Sequence, residues 1–369
     1  MKLLMISGDR SLAAGKQGAF YNTLEEFHQY WDRIDIICPR TDKVTCLPTG
    51  RSITQGLALQ RFGNVFVYPS PWPLYLQPFW IWKKGLEIYH EQKFNLVTVH
   101  EYPPFYNGIG ARLLWQKIKV PYILEVHHIP GYPRASGMKE KIYKKLMGAF
   151  IKYDSDKAMA VRVVNENQVP DFLKRAGVPE QKIKCTPSLY IDLDIFRPMN
   201  LAKEYDLIFL GRLTENKGIN LFLEAVRKLN AKAIIVGDGP LKKSLKLENK
   251  ITIHGWARDS QEVAELINKS KILVLPSFNE GNPRVVVEAM ACGVPVLATP
   301  VGIVPDIIKD KESGRIIDWN AEDIAVKARE LLSNEEEYKR LKQAGLEIVK
   351  NFEKKAAIKN YADKLKELI

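Results

Sequence analysis

Glu280 and Glu288 stand eight positions apart with the start of a helix between them. Leu273-Val274-Leu275 reads as a buried strand and residues 276–281 as the loop that follows it. Pro283 suits the first turn of a helix, where its missing N–H is no loss. That helix runs on through Val285 to Cys292 and stops at Gly293. From Pro283 to Glu288 the rise is about 7.5 Å. The helix N-terminus between the carboxylates offers free N–H groups and a positive partial charge to an anion. An equally weighted reading needs no ligand: Arg284 and Glu288, at i and i+4, form a surface ion pair, and Glu280 is a solvated loop residue.

A second loop carries complementary chemistry. Leu210-Gly211-Arg212-Leu213-Thr214-Glu215-Asn216-Lys217-Gly218 follows a strand and precedes a helix. Arg212 can fork onto phosphate oxygens and Lys217 supplies a point charge. One carboxylate at a sugar, a helix end at a diphosphate and a second carboxylate at a ribose diol would together measure out a nucleotide sugar. Val236-Gly237-Asp238-Gly239-Pro240 is a weaker signal, since such a turn chiefly permits close backbone approach. His254, at a later strand end, reads as structural. Tyr122-Ile123-Leu124-Glu125-Val126-His127-His128 is a strand ending in two histidines, and His100-Glu101 closes the strand before it.

Short apolar runs alternate with helical segments along the 369 residues. Strands are expected at 2–7, 34–38, 64–68, 96–100, 122–126, 157–161 and 183–186, then at 206–210, 233–236, 251–254, 272–275, 294–298 and 315–317. Helices include 17–31 and 219–229. Continuously apolar strands separated by helices indicate parallel sheets covered on both faces. Two such sets indicate two doubly wound α/β domains, Rossmann-like, with a boundary near Phe196-Arg197-Pro198. Ligands of such sheets sit outside the carboxyl ends of the strands, where each of these motifs falls. The cleft between the domains is therefore the expected active site.

The segment from Phe278 through Asn279-Glu280-Gly281-Asn282-Pro283-Arg284-Val285-Val286-Val287-Glu288 to Val296 resembles the signature of retaining GT-B glycosyltransferases of family 4, the glycosyl transferases group 1. Two glutamates separated by seven residues mark that family. The resemblance implies that Glu280 contacts the donor sugar and Glu288 the ribose hydroxyls, with Gly281, Asn282, Pro283 and Arg284 at the donor. Arg212 and Lys217 would hold its diphosphate, and Gly237 and Gly239 also match the donor side. Gly15-Lys16-Gln17-Gly18 resembles the glycine loop that approaches donor and acceptor, without the adjacent glycines of the family. His127 takes the place of a histidine near the reacting carbon, and His128 stands where many relatives carry Asp. Asn165 falls where relatives often have Ser. Asp192-Leu193-Asp194 precedes the interdomain linker and reads as structure, so no metal and no cofactor is expected.

On this resemblance residues 1–198 form the acceptor-binding domain, 199–350 the nucleotide-sugar domain, and 351–369 a helix packing back on the first. The implied reaction moves a hexose from a nucleotide diphosphate sugar, UDP-sugar first and GDP-mannose next, to an acceptor hydroxyl. An epimerase acting on nucleotide sugars shares the architecture and remains the alternative.

The composition is that of a soluble globular chain, 46% hydrophobic and 27% charged. No apolar run reaches the length of a membrane span and the start does not read as a signal peptide, so a cytoplasmic protein is expected. Cys38, Cys46, Cys185 and Cys292 are scattered and read as reduced thiols. Residues 1–198 carry 27 Lys/Arg against 18 Asp/Glu, most of the net +12. An anionic partner for the first half follows: a membrane surface, a phosphorylated lipid or a nucleic acid. The last finds no RNP-like, helix-turn-helix or zinc pattern to support it. Trp72, Trp80 and Trp82 lie beside Lys83 and Lys84, and residues 134–152 interleave Lys141, Lys144 and Lys145 with Ile142, Tyr143, Leu146 and Phe150. Aromatics with lysines fit peripheral docking on an anionic membrane and a lipid-linked or glycan acceptor, with His100 and His128 toward it. A buried aromatic helix beside a solvated basic face fits equally.

Overall fold

The computed structural model describes residues 1–16, 18–41, 59–245 and 249–369; Gln17 and Cys46, named above, lie outside them. In the first half, β1 (Lys2–Ile6), β2 (Arg33–Cys38), β3 (Leu59–Arg61), β4 (Val65–Pro69), β5 (Leu96–His100), β6 (Tyr122–Val126), β7 (Ala160–Val163) and β8 (Ile183–Cys185) form one sheet. Its order is β3-β4-β2-β1-β5-β6-β7-β8. Helices α1 (Ala19–Phe27), α2 (Gln77–Gln92), α3 (Tyr106–Ile118), α4 (Met138–Asp156) and α5 (Gln168–Arg175) connect it. In the second half, β9 (Tyr205–Leu210), β10 (Ala233–Val236), β11 (Ile251–Gly255), β12 (Ser270–Leu275), β13 (Val296–Ala298) and β14 (Arg315–Ile316) are ordered β11-β10-β9-β12-β13-β14. Helices α6 (Ile219–Leu229), α7 (Ser260–Asn268), α8 (Arg284–Ala291), α9 (Val304–Ile307), α10 (Ala321–Ser333), α11 (Glu335–Ile348) and α12 (Lys354–Lys366) complete the chain.

All pairings are parallel except β3 with β4. Strands such as Tyr122–Val126 and Ala233–Val236 are buried at every position, because helices cover both faces. Each sheet accordingly has an apolar core on either side. The fold is thus two Rossmann-like parallel-sheet domains in a GT-B arrangement. Helix α12 lies against the first sheet's side, where Ile358, Tyr361, Ala362 and Leu365 join Leu24, Phe27 and Trp31 in one core.

Two sequence expectations need correction here. The strand expected at 157–161 is instead Ala160–Val163. Arg162 is buried in mid-strand, where its register partner on β6 is Glu125. The three-residue edge strand β3 is too short to show a period. Trp80 does not face solvent: it is 5% exposed and packs in the core of the first domain. Trp72 and Trp82 are half-buried, Trp72 meeting the Trp80 ring edge-on at 5.6 Å. A helix turns its residues by face, so a run of aromatics along the sequence splits between core and surface.

Candidate active site

Two loops of the second domain meet first. Lys217, at the end of the turn after β9, donates to Glu280 in the loop after β12. Ser277 Oγ donates to the same Oε1 at 2.9 Å. Gly218 permits this approach: its φ is +69°, and a Cβ there would lie 2.1 Å from the Pro276 carbonyl oxygen. Gly237 and Gly239 act similarly, since a Cβ on either would strike the backbone at Gly211 or Leu213. Their role is close packing of the strand-end turns. The Arg212 side chain is exposed and makes no ion pair among the described residues.

Helix α8 begins at Arg284 with Pro283 as its cap residue, one position later than the sequence expectation. Glu288 is 9% exposed, so the surface-pair reading fails for it. Burial pushes its carboxyl up, with partial opposition from Arg284, whose Nε is 3.8 Å from Oε1. The Arg284 guanidinium also lies over the Tyr190 ring at 4.8 Å. Both polar side-chain atoms of Asn282 and the Nε of Arg284 are buried without a hydrogen bond. Buried polar atoms left open at a helix N-terminus are suited to an incoming anion or hydroxyl.

The first domain presents two histidines to this loop, and they face different partners. A Cβ on Gly281 would lie 2.1 Å from the His127 carbonyl oxygen, so only glycine lets the two domains touch here. His128 Nε2 is 2.9 Å from Asn279 Oδ1. Asn279 donates through Nδ2 to the Arg134 carbonyl at 3.0 Å and to Glu140 at 2.8 Å, which fixes its amide orientation. His128 must therefore donate from Nε2. Burial lowers its pKa, although Glu280 opposes this. Asn279, 1% exposed, thus ties the Glu280 loop to the first turn of α4. A second bridge joins Glu166 and Asn167 to Asp306, and Gln168 to Pro300 and Gly302.

His127 turns instead toward Glu125. His100 Nε2 lies 2.8 Å from Glu125 Oε2, and His127 Nε2 lies 3.4 Å from the same oxygen. Arg162 reaches Glu125 Oε1 at 3.2 Å and His127 Nε2 at 3.3 Å. Burial opposes the charge on Glu125, but Arg162 and His100 hold its carboxyl well below the usual range. Burial also lowers the His127 pKa, against the pull of Glu125. His100, Glu125 and His127 offer ligand-type atoms within 4.8 Å of one another. Arg162 supplies positive charge beside the same carboxylate, so the three side chains form an ion-pair network with it.

A cavity of about 290 Å³ opens where the two domains meet. His127, Arg162, Asn282 and Arg284 line it, together with Phe20 and Thr23 of α1 and Tyr361 of α12. A second cavity of about 340 Å³ lies on the first domain's side, between Asp9, Tyr102, His100 and His128. Gly15 has φ +68° and Gly18 precedes α1, and neither glycine lines either cavity. The lysines of α4 line neither cavity: Lys141 and Lys145 are exposed and Lys144 half-buried, on a helix whose Met138, Ile142, Tyr143, Leu146 and Phe150 are exposed too. Sequence reasoning missed Asn279, Arg162 and Tyr361, and passed over Glu125 as strand filler. Among the described residues no helix is long and apolar enough to cross a membrane. Cys38, Cys185 and Cys292 are free thiols.

Comparison with known proteins fits this geometry. Residues 193–348 match the family model of glycosyl transferases group 1. An uncharacterized glycosyltransferase of Methanocaldococcus jannaschii is 29% identical over 279 residues, 73% of this chain and 75% of that protein. The N,N'-diacetylbacillosaminyl-diphospho-undecaprenol alpha-1,3-N-acetylgalactosaminyltransferase of Campylobacter jejuni is 27% identical, over 60% of this chain and 63% of its own length. Sucrose-phosphate synthase of Thermosynechococcus elongatus, a solved structure, superposes with a TM-score of 0.77 at 19% identity, covering 100% of this chain and 98% of that one. The relatives in sequence and the shared two-domain architecture make the chain a GT-B glycosyltransferase using a nucleotide-sugar donor, its residues 193–348 being similar to the glycosyl transferases group 1.

Proposed function

We propose that the enzyme moves a hexose, with retention at the anomeric carbon, from a nucleoside diphosphate sugar to an acceptor hydroxyl, with a UDP-sugar as first choice of donor and GDP-mannose as second. The observation that carries this reading is the Lys217–Glu280 pair beside the open N-terminus of α8 and directly across from His127. Glu280 would take the donor sugar and Glu288 the ribose diol. Lys217, Arg212 and the N–H groups of α8 would stabilise charge gathering on the departing diphosphate. With that neutralisation supplied by side chains and a helix end, the reading needs no divalent metal. The leaving phosphate assists deprotonation of the acceptor, so no side-chain base is assigned, and His127 aligns the reacting groups.

The acceptor is lipid-linked in this reading, and the first domain docks on an anionic membrane face inside the cell. The exposed apolar and basic side chains of α4, with Tyr75 and Phe79 at the start of α2, support it. So does the Campylobacter relative, whose name places its acceptor on a diphospho-undecaprenol.

The test is to incubate the protein with radiolabelled UDP- and GDP-hexoses and a bacterial lipid extract. Label moving into the organic phase is the expected result. Conversion of the donor to its epimer without any acceptor would replace the reading with the epimerase alternative.

A further inference from the structure

Glu125 is fully buried, and its two oxygens serve four side chains from four separate elements. Oε2 faces His100 at the end of β5 and His127 just beyond β6. Oε1 lies 3.2 Å from Nη1 of Arg162 on β7 and accepts, at 2.6 Å, from the hydroxyl of Tyr361. Tyr361 comes from the C-terminal helix, 236 residues away in sequence. Its ring is stacked on Phe27 at 4.8 Å and covered by the Arg162 guanidinium at 3.9 Å. Arg162 is itself anchored by a bond from Nε to the Thr186 carbonyl at 3.1 Å.

This arrangement decides where His127 carries its proton. Arg162, 3.3 Å from Nε2, can only donate and so favours a neutral His127 with its proton on Nδ1, whereas Glu125 Oε2, 3.4 Å from the same nitrogen, favours the proton on Nε2. Were Glu125 freer to turn or more basic, it would draw a proton onto Nε2 instead. Tyr361 restrains both, because its hydroxyl disperses the carboxylate charge and fixes the direction of Oε1. The groups facing His127 are Glu125, His100 and Arg162, and Asp9 lines the same cavity. Glu125 cannot be probed cleanly by removal, since that would strand Arg162 as an uncompensated buried charge.

We propose that Tyr361 is a positioning residue for His127, acting through Glu125, so that the C-terminal helix belongs to the catalytic apparatus of the first domain. The role in transfer rests on the proposed glycosyl transfer with His127 at the reacting carbon. The tautomer claim does not.

The experiment is Tyr361→Phe in the full chain, with Leu365→Ala as its control. Phenylalanine keeps the stacking on Phe27 and the contact with Arg162. Leu365 is buried in the same helix docking but is not among the groups around Glu125, so its truncation loosens the helix alone. In protein labelled with ¹⁵N-histidine, the wild type should show His127 as the Nδ1–H tautomer. Tyr361→Phe should move it toward Nε2–H and raise its titration midpoint. Leu365→Ala should lower the melting temperature and leave the His127 signals unchanged. With a working transfer assay, Tyr361→Phe should also lower kcat by roughly tenfold at unchanged donor KM, within the ~10²-fold that a slight misplacement can cost. Unchanged His127 signals in Tyr361→Phe would overturn the proposal, and so would an equal change in Leu365→Ala. If the wild type transfers no sugar, the functional reading fails while the imidazole spectra still decide this one.

Discussion

The ammonium of Lys217 rests on the carboxylate of Glu280, joining the turn after β9 to the loop after β12 on the floor of the cleft. Neither side chain is free in solvent, at 19% and 12% exposure, so the pair is worth more than a surface ion pair. A donor diphosphate arriving there would take over part of the lysine's charge, and Glu280 would keep its bond from Ser277. Lys217→Ala should therefore weaken donor binding by about 1.5–3 kcal/mol, the range for a hydrogen bond to a charged group. Calorimetric titration of the donor reads this directly; an unchanged Kd would detach Lys217 from the diphosphate.

Glu288 gives a prediction with two opposite signs. Its folded pKa is raised by burial, so it stabilises the ligand-free protein most below the ordinary glutamate range and loses that contribution as pH rises through the folded value. Glu288→Gln removes the ionisation step. At pH 8 the variant should melt no lower than wild type, yet bind the donor more weakly because a ribose hydroxyl loses its carboxylate. Melting curves at pH 5 and 8, with and without donor, separate the two effects. Equal donor affinity in both proteins would count against the ribose role.

Another buried carboxyl pair should set the pH profile of the first domain. Glu101 and Asp154 meet over the bare backbone of Gly108, where a Cβ would lie 2.2 Å from one and 2.7 Å from the other carboxylate oxygen. Burial pushes Asp154 up to about 7 from 3.8, with Arg112 opposing, and burial together with Asp154 raises Glu101 well above its usual value. The folded state then holds protons that the unfolded chain releases. Stability from Asp154 is complete below pH 3.8 and is lost as the pH climbs through 7. Asp154→Asn should gain on wild type in melting temperature steadily from pH 5 to 8. A gap that does not change with pH would contradict this.

The exposed face of α4 makes its own test. Flotation with anionic liposomes at low salt should carry the wild type upward, with weaker binding as salt rises. Replacing Lys141, Lys145 and Lys152 by Glu should abolish it. Failure of the wild type to float at low salt would remove the membrane part of the proposal. Trp80→Ala serves as a contrast: it should cost about 3–5 kcal/mol of stability, as truncation of a core aromatic does.

Much of this architecture is legible in the sequence, because buried parallel strands declare themselves as short apolar runs. Leu96–His100, Tyr122–Val126 and Ala233–Val236 are read to the residue. The Glu280–Glu288 segment is legible too, since strand, loop, Pro283 and helix follow one another locally. What escapes are contacts between distant elements. The Arg162 partnership with Glu125 is a register relation between neighbouring strands, and Tyr361 reaches the same carboxylate from the last helix. No local pattern encodes either. Asn279 sits inside the recognised motif, but its partners His128, Arg134 and Glu140 come from the other domain. Trp80 misled because residues adjacent in sequence are not adjacent on a helix surface.

The central claim is that α8 and the Arg212–Lys217 turn bind a nucleotide sugar. Thermal melting of the protein against a panel of UDP-, GDP- and ADP-sugars tests it most directly. A donor at ~100 times its Kd adds about 2.7 kcal/mol to the folded state. One base and one sugar should raise the melting temperature by several degrees, and Arg212→Ala with Lys217→Ala should remove the rise. A panel in which no nucleotide sugar stabilises the wild type, or in which the double variant responds equally, would contradict the account.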